Sequence, residues 1–346
     1  MLKTMSAIAL SLVPVFSQAV DIEMISPGVW TALQPDSRKF NDCNSLIVAA
    51  ADFVIVVDAQ ENADDVEQII QFARAEIGKP IRYLINTHWH SDHTQGNTGY
   101  RAAYGDGLII IGHETHTDDI ENRATTYVAD RVERLKQQLP AAREQLETGI
   151  KRDGSKFTPE ELAVQTTRVR DAEAWVAAND GFKFTLPSLT INDVYSVKAG
   201  DASFDIYPMR GHTRGDLVIH FPRMQLMATG DLVDAMPYTG HGFPGEWLGS
   251  LKTIKEFEAS TYLPGHGTTL TDDVLIDNLS LYFTSLTSQV RSMLDAGKTA
   301  DEIKADIDLS QSRALLAGDD ETAQRFFDGA QEEAIDQAIN ELDGND

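Results

Sequence analysis

The most constraining stretch of this chain is Thr87-His88-Trp89-His90-Ser91-Asp92-His93, which follows the apolar run Ile81-Arg82-Tyr83-Leu84-Ile85 almost at once. A short run of this kind after Pro80 predicts a buried strand. Three histidines and an aspartate crowded directly behind it predict a metal site rather than a chance surface cluster. Alternate residues of an extended segment share a face, so His88 and His90 can reach one ion. Asp92 and His93 lie where the chain turns toward the next helix, within reach of a second ion.

Three later positions complete a donor set. His212 lies in Gly211-His212-Thr213-Arg214-Gly215-Asp216, Asp231 in Thr229-Gly230-Asp231, and His266 in Pro264-Gly265-His266-Gly267. Each follows a predicted strand (ending at Met209, Ala228 and Leu263) and has a glycine beside it. Strand ends of a rigid scaffold are where ligands are presented, and glycine lets backbones approach closely or adopt positive φ.

The surrounding pattern is that of a layered α/β chain. Leu46–Ala50 and Phe53–Val57 read as paired strands. Ala63–Ile77 reads as an amphipathic helix, with Val66, Ile69, Ile70 and Phe72 roughly on one side, stopped by Gly78-Lys79-Pro80. Leu108–Ile111 is a further strand, and strand, helix, strand and loop in this rhythm predict packed layers. Residues 117–180 break the rhythm with apolar residues at helical spacing, Pro140 kinking or splitting the first helix. A second helix begins at Thr158-Pro159-Glu160-Glu161, a capping box with proline at the first helical position. This helical hairpin is an insertion that serves as solvated decoration, lid or homodimer contact. Strands return as Leu189–Val197, Ser203–Met209, Leu217–Phe221 and Gln225–Ala228, and the last eighty or so residues are helical, chiefly Leu275–Leu294 and Ala323–Leu342.

Lys3, the apolar Met5–Val15 and the small residues Ser17 and Ala19 read as a signal peptide over 1–19. A catalytic domain over 20–270 and a helical C-terminal extension over 271–346 are then expected, in a periplasmic or secreted protein. The apolar run is too short for a stable membrane span and contains Pro14. The formal charge of −25 repels phosphate backbones and argues against nucleic-acid partners. Cys43 is the only cysteine, so no intrachain disulfide forms, and a small buried hydrophobe is its expected role.

The ordered set His88-x-His90-x-Asp92-His93, His212, Asp231 and His266 resembles the metallo-β-lactamase superfamily, over about residues 27–270. The resemblance implies a four-layer αβ/βα sandwich with the site at one edge, here carrying the helical insertion and extension. It implies that His88, His90 and His212 hold one ion, Asp92, His93 and His266 the other, and that Asp231 bridges them. Asp58, in Val56-Val57-Asp58, matches a family aspartate that supports the ligand loop. Imidazole and carboxylate donors suit two zinc ions, with iron or manganese also compatible.

The activity implied is hydrolysis, a metal-bridged hydroxide attacking a small ester, lactone, thioester or amide. Asp92 would orient the nucleophile and shuttle a proton. Two departures stand out. Thr94-Gln95-Gly96-Asn97 replaces the family's usual two glycines after the fourth ligand. Asp231 stands where many β-lactamases of the family have a cysteine or a non-ligand, which looks more like the glyoxalase II-like and lactonase branches. A class B β-lactamase is therefore the alternative enzyme, and a non-catalytic metal-binding protein on the same fold is the alternative of another class. Tyr238, His241 and Phe243, in the loop after Asp231, are candidate contacts to a small-molecule substrate. His113-Glu114-Thr115-His116 is one residue short of a zinc-protease signature and reads as an exposed helix start. His220 reads as a packed strand residue.

Overall fold

The computed structural model of the chain describes residues 20–36, 38–198 and 203–344. The expected signal segment lies outside the described residues. Twelve described strands form two sheets. The first holds β1 (Asp21–Ser26), β2 (Val29–Leu33), β3 (Ser45–Ala49), β4 (Val54–Val57), β5 (Ile81–Ile85), β6 (Ile109–His113) and β7 (Leu189–Ile191), in that order. Its pairs are antiparallel up to β4 and parallel beyond it. The second runs β12-β11-β10-β9-β8, from β8 (Tyr195–Val197), β9 (Phe204–Met209), β10 (Asp216–Phe221), β11 (Leu226–Gly230) and β12 (Thr261–Pro264).

The period-two alternation of side chains builds the layers. Leu46, Val48, Ile55 and Val57 point into the core between the sheets, where they meet Phe204, Ile206, Leu217, Ile219 and Phe221. Their neighbours Ile47, Val54 and Val56 point the other way, onto Val66, Ile69 and Ile70 of α1 (Ala63–Phe72) and Tyr100 of α3 (Asn97–Tyr104), which follows the short α2 (Ser91–Thr94). On the far side, Val218 and Met227 pack on Trp247, Leu251 and Ile254 of a later helix and on the C-terminal helices. A strand apolar on both faces must be covered on both, and the result is the αβ/βα sandwich.

The insertion is α4 (His116–Asp119), α5 (Thr125–Thr148) and α6 (Pro159–Asn179). Thr158 and Glu161 form the expected capping box. Pro140 does not split the first long helix, which runs through it. Packing offsets the missing N–H: Val132 and Leu139 before the proline are buried, and α5 packs against α6. The expected strand 189–197 is also corrected. It is two strands, β7 in the first sheet and β8 in the second, with the chain changing sheets at the turn-forming Asn192-Asp193.

After α7 (Pro244–Glu256) the chain adds α8 (Val274–Asp295), α9 (Ala300–Asp306), α10 (Ser310–Ala317) and α11 (Glu321–Asp343). These share one core with the second sheet, through Phe283, Leu286, Phe327 and Ile335. Among the described residues, no helix is long and apolar enough to cross a membrane.

Candidate metal centre

Strand direction gathers the site. β4 and β5 are parallel, so Asp58 and the His88 loop emerge at one end. In the other sheet, β9 and β11 are both antiparallel to β10, and β12 is parallel to β11. The loops carrying His212, Asp231 and His266 therefore emerge together as well. Close approach there requires glycine at 265, because a Cβ would sit 1.8 Å from Asp231 Oδ1.

Two donor clusters result. Ligand atoms of His88, His90, His212 and Asp231 all lie within 4.8 Å of one another, as do those of Asp92, His93 and His266. His90 Nδ1 stands 3.0 Å from His212 Nε2. His266 Nε2 is 3.2 Å from Asp92 Oδ2 and 3.5 Å from Asp231 Oδ2, while His212 Nε2 is 3.4 Å from that same Asp231 oxygen. The structure thus brings together all seven donors singled out in the sequence, with Asp231 touching both groups.

The outer ring nitrogens of His90, His93 and His212 are spoken for, which fixes the direction of those imidazoles. The Asp58 carboxylate lies 2.9 Å from His93 Nδ1 and accepts from the N–H and Oγ1 of Thr87. His212 Nδ1 donates to the Tyr238 carbonyl at 3.0 Å. His90 Nε2 pairs with His241 Nδ1 at 3.0 Å. With the site-facing Nδ1 of His90 free of a proton, Nε2 is the donor and His241 the acceptor.

Burial pushes His88 and His90 well down and lowers His212 as well, so these imidazoles are neutral and offer lone pairs. Burial alone would lower His93 and His266 too, but the acidic groups packed around them outweigh it and push both up. Burial works to raise Asp92 and Asp231, and the adjoining imidazoles overcome it and hold both carboxyls low. Such a pocket of carboxylates calls for positive charge. His88 Nε2, His93 Nε2 and Asp231 Oδ1 are also buried without hydrogen-bond partners. Each orphaned polar atom is destabilising by about 1–3 kcal/mol unless something satisfies it. Divalent cations fit both requirements, and the donor types are those of zinc, iron or manganese.

Other candidates fall in different places. Tyr238 is partly exposed beside the rings of His90 and His212. His241 is the partner of His90, and burial pushes its pKa down to about 4. Phe243 lies under the Arg210 guanidinium, 3.8 Å from ring centroid to Cζ, and its N–H holds the Gly211 carbonyl. His113 and His116 are not an exposed helix start. His116 is fully buried, accepting from the His113 N–H at Nδ1 (3.1 Å) and donating from Nε2 to the Gly215 carbonyl (2.6 Å), so it pins the His212 loop. His220 packs against Phe257. Cys43 is buried as expected, and its thiol also donates to the Asp92 carbonyl at 3.1 Å.

Sequence reasoning missed several supports. Asp234, three residues past Asp231, forms a further group of potential metal donors with Asp231 and His266 and is pushed up to about 7, by burial first. Its spacing from Asp231 was the one available signal. Asn44 donates to the carbonyls of Pro264 and Gly267 and so holds the His266 loop. Gln95, the residue that departs from the usual glycine, reaches Asn179 of α6 at 2.6 Å. Glu61 accepts from Trp175 of α6 and pairs with Arg131 of α5. The inserted hairpin therefore braces the ligand loop.

Comparison with known proteins agrees with this geometry. The family model described as the metallo-beta-lactamase superfamily matches residues 38–266. An atrochrysone carboxyl ACP thioesterase from Cryptosporiopsis sp. (strain 8999) is 29% identical over 99 residues, 28% of this chain and 30% of that protein. A metallo-beta-lactamase from Pontibacter korlensis superposes with a TM-score of 0.52 at 16% identity, covering 77% of this chain and 99% of its own. The inverting sec-alkylsulfatase Pisa1 from Pseudomonas sp. gives a TM-score of 0.65 at 14% identity, over 93% of this chain and 50% of that one. At these identities the structural likenesses speak to the fold.

Proposed function

This chain belongs to the metallo-beta-lactamase superfamily and is a metal-dependent hydrolase, and we propose that it cleaves a small ester, lactone, thioester or amide with two zinc ions. His88, His90 and His212 would hold one ion, Asp92, His93 and His266 the other, and Asp231 both. The observation that carries this reading is the position of Asp231, whose Oδ2 stands within 3.5 Å of both His212 and His266. When bound, such ions lower the pKa of water from about 15.7 to near 7 and polarise a substrate oxygen.

The remaining work falls to the protein. Asp58, His241 and the Tyr238 carbonyl lock the rings of His93, His90 and His212, so little reorganisation is left for the reaction itself. Asp92, the most exposed of the carboxylates here, orients the attacking water and carries a proton from it to the leaving group. The thioesterase among the matched relatives supports a thioester within the substrate classes. Met5–Val15 and the small residues after it support export to the periplasm or beyond. Recovery of exported protein with an N-terminus near Val20 is expected, and its retention at full length in the cytoplasm would refute this.

Elemental analysis of the purified protein, run beside a panel of esters, lactones, thioesters and amides, tests the main reading. About two equivalents of zinc, turnover on the panel and loss of both in His212→Ala are expected. Rapid turnover of nitrocefin would favour a β-lactamase instead. A fully metal-loaded protein inert on every substrate would point to a non-catalytic metal-binding role.

A further inference from the structure

A cavity of about 160 Å³ has Asp234 and His266, two groups of the metal centre, in its lining. Its other walls are mainly apolar and aromatic, with Phe40, Met236, Pro237, Tyr282, Phe326 and Phe327 among them. Through Tyr238, Phe326 and Ala330, which line both, it continues into an open groove of about 430 Å³. The groove's lining also includes the polar side chains of Thr322, Arg325 and Glu333.

One wall is α11, which lies beyond the segment matched by the family model. That helix is tied to the rim of the metal centre, because Gln337 Nε2 donates to the Gly240 carbonyl at 3.0 Å and the ring of Phe326 lies tilted against that of Phe40 at 5.2 Å. Gly329 sits inside this helix and on the groove. A Cβ there would meet nothing within 4 Å. Neither a turn nor a close neighbour asks for glycine, although glycine in a helix interior is destabilising by roughly 1 kcal/mol against alanine. Gly329 thus lines the groove with no side chain to occupy it.

We propose that this groove receives the aliphatic chain of an acyl substrate, whose reactive carbonyl lies at the His266 end. The inference rests on the hydrolase reading for the reaction, but the apolar channel stands without it. Beyond Asp234 and His266 the inner cavity is lined mainly by apolar and aromatic side chains, and through His266 it meets the donor clusters. Medium-chain acyl esters, lactones or thioesters match that profile.

Two measurements test the proposal separately from the hydrolase reading. In the first, chelator-treated protein is titrated with decanoate and with acetate by calorimetry. Decanoate should bind and acetate should not, and Gly329→Leu, which fills the groove, should weaken decanoate at least tenfold. In the second, kcat/KM is measured for p-nitrophenyl esters from acetate to decanoate. It should climb by up to about fourfold per methylene until the groove is full, and Gly329→Leu should lower the decanoate-to-acetate ratio at least tenfold. Gly329→Ala, expected to unfold at a higher temperature than the wild type, checks that the helix tolerates a side chain. Decanoate binding without turnover of any ester would sink the hydrolase reading and leave the groove assignment standing. Absence of decanoate binding, a flat chain-length profile, or a profile unchanged in Gly329→Leu would overturn the groove assignment.

Discussion

The donors of this site were legible residue by residue, because a metal centre needs particular side chains at particular strand ends. Their supports were not, because a backbone carbonyl or a distant imidazole carries no signature in a linear pattern. His241 illustrates the point. Its place in the loop after Asp231 suggested contact with substrate, and nothing in that loop announced that its Nδ1 would also lie 3.0 Å from His90 Nε2. Removing such a partner of a ligand histidine lowers metal affinity or activity by about 10–100-fold. His241→Ala should therefore weaken zinc binding by that order in a competitive chelator titration, and unaltered affinity would show that the contact does not orient His90. His116 gives a prediction in pH. Burial pushes it from its ordinary 6.5 down to about 3. Between those values the unfolded chain carries a proton on His116 that the folded chain lacks, so this residue makes stability fall as pH falls below about 6.5. The slope is up to about 1.4 kcal/mol per pH unit. His116→Gln removes that contribution, so the stability gap between wild type and variant should narrow by about 2 kcal/mol from pH 6.5 to 5.0 in urea unfolding. A constant gap would mean that His116 titrates normally in the fold.

At the scale of elements, periodicity revealed which segments are strands and helices but not which sheet a strand joins. β7 and β8 read as one strand because strand-forming residues flank Asn192-Asp193 on both sides, and only tertiary pairing reveals the change of sheet there. The hairpin α5–α6 was likewise recognisable as an insertion, while its use was not. Its bond from Asn179 to Gln95 lies immediately behind the ligand run, and both residues are buried. Gln95→Ala and Asn179→Ala should each destabilise the protein by about 1–3 kcal/mol, since each leaves a buried amide group unpaired. The double variant should be less destabilised than the sum, with a coupling of about 0.5–1.5 kcal/mol in a denaturant-based cycle. Strict additivity would show that the hairpin only lies against the catalytic layers without bracing them.

For the whole molecule, two global properties oppose each other. The formal charge of −25 is a self-repulsion that the folded state concentrates. Salt screens it over about 10 Å at 0.1 M, and isolated surface ion pairs are worth little in return. The unfolding temperature should rise by several degrees between 10 mM and 0.5 M sodium chloride, and a fall would mean that the exposed ion pairs outweigh the net repulsion. Against this repulsion stands the metal centre, and its composition matters here. His88, His90, Asp92 and His93 hang from the first sheet, while His212, Asp231 and His266 hang from the second. Any ion held by His88 and His212, or by His93 and His266, therefore ties the two sheets together across their common edge. Binding that favours the folded state stabilises it by about 2.7 kcal/mol when free metal is at a hundred times the dissociation constant. Chelation should accordingly lower the unfolding temperature of the entire chain in one cooperative step, and restored zinc should recover it. If the transition is indifferent to chelator, the seven side chains converge without gripping an ion, and the two sheets are held by the apolar core between them alone.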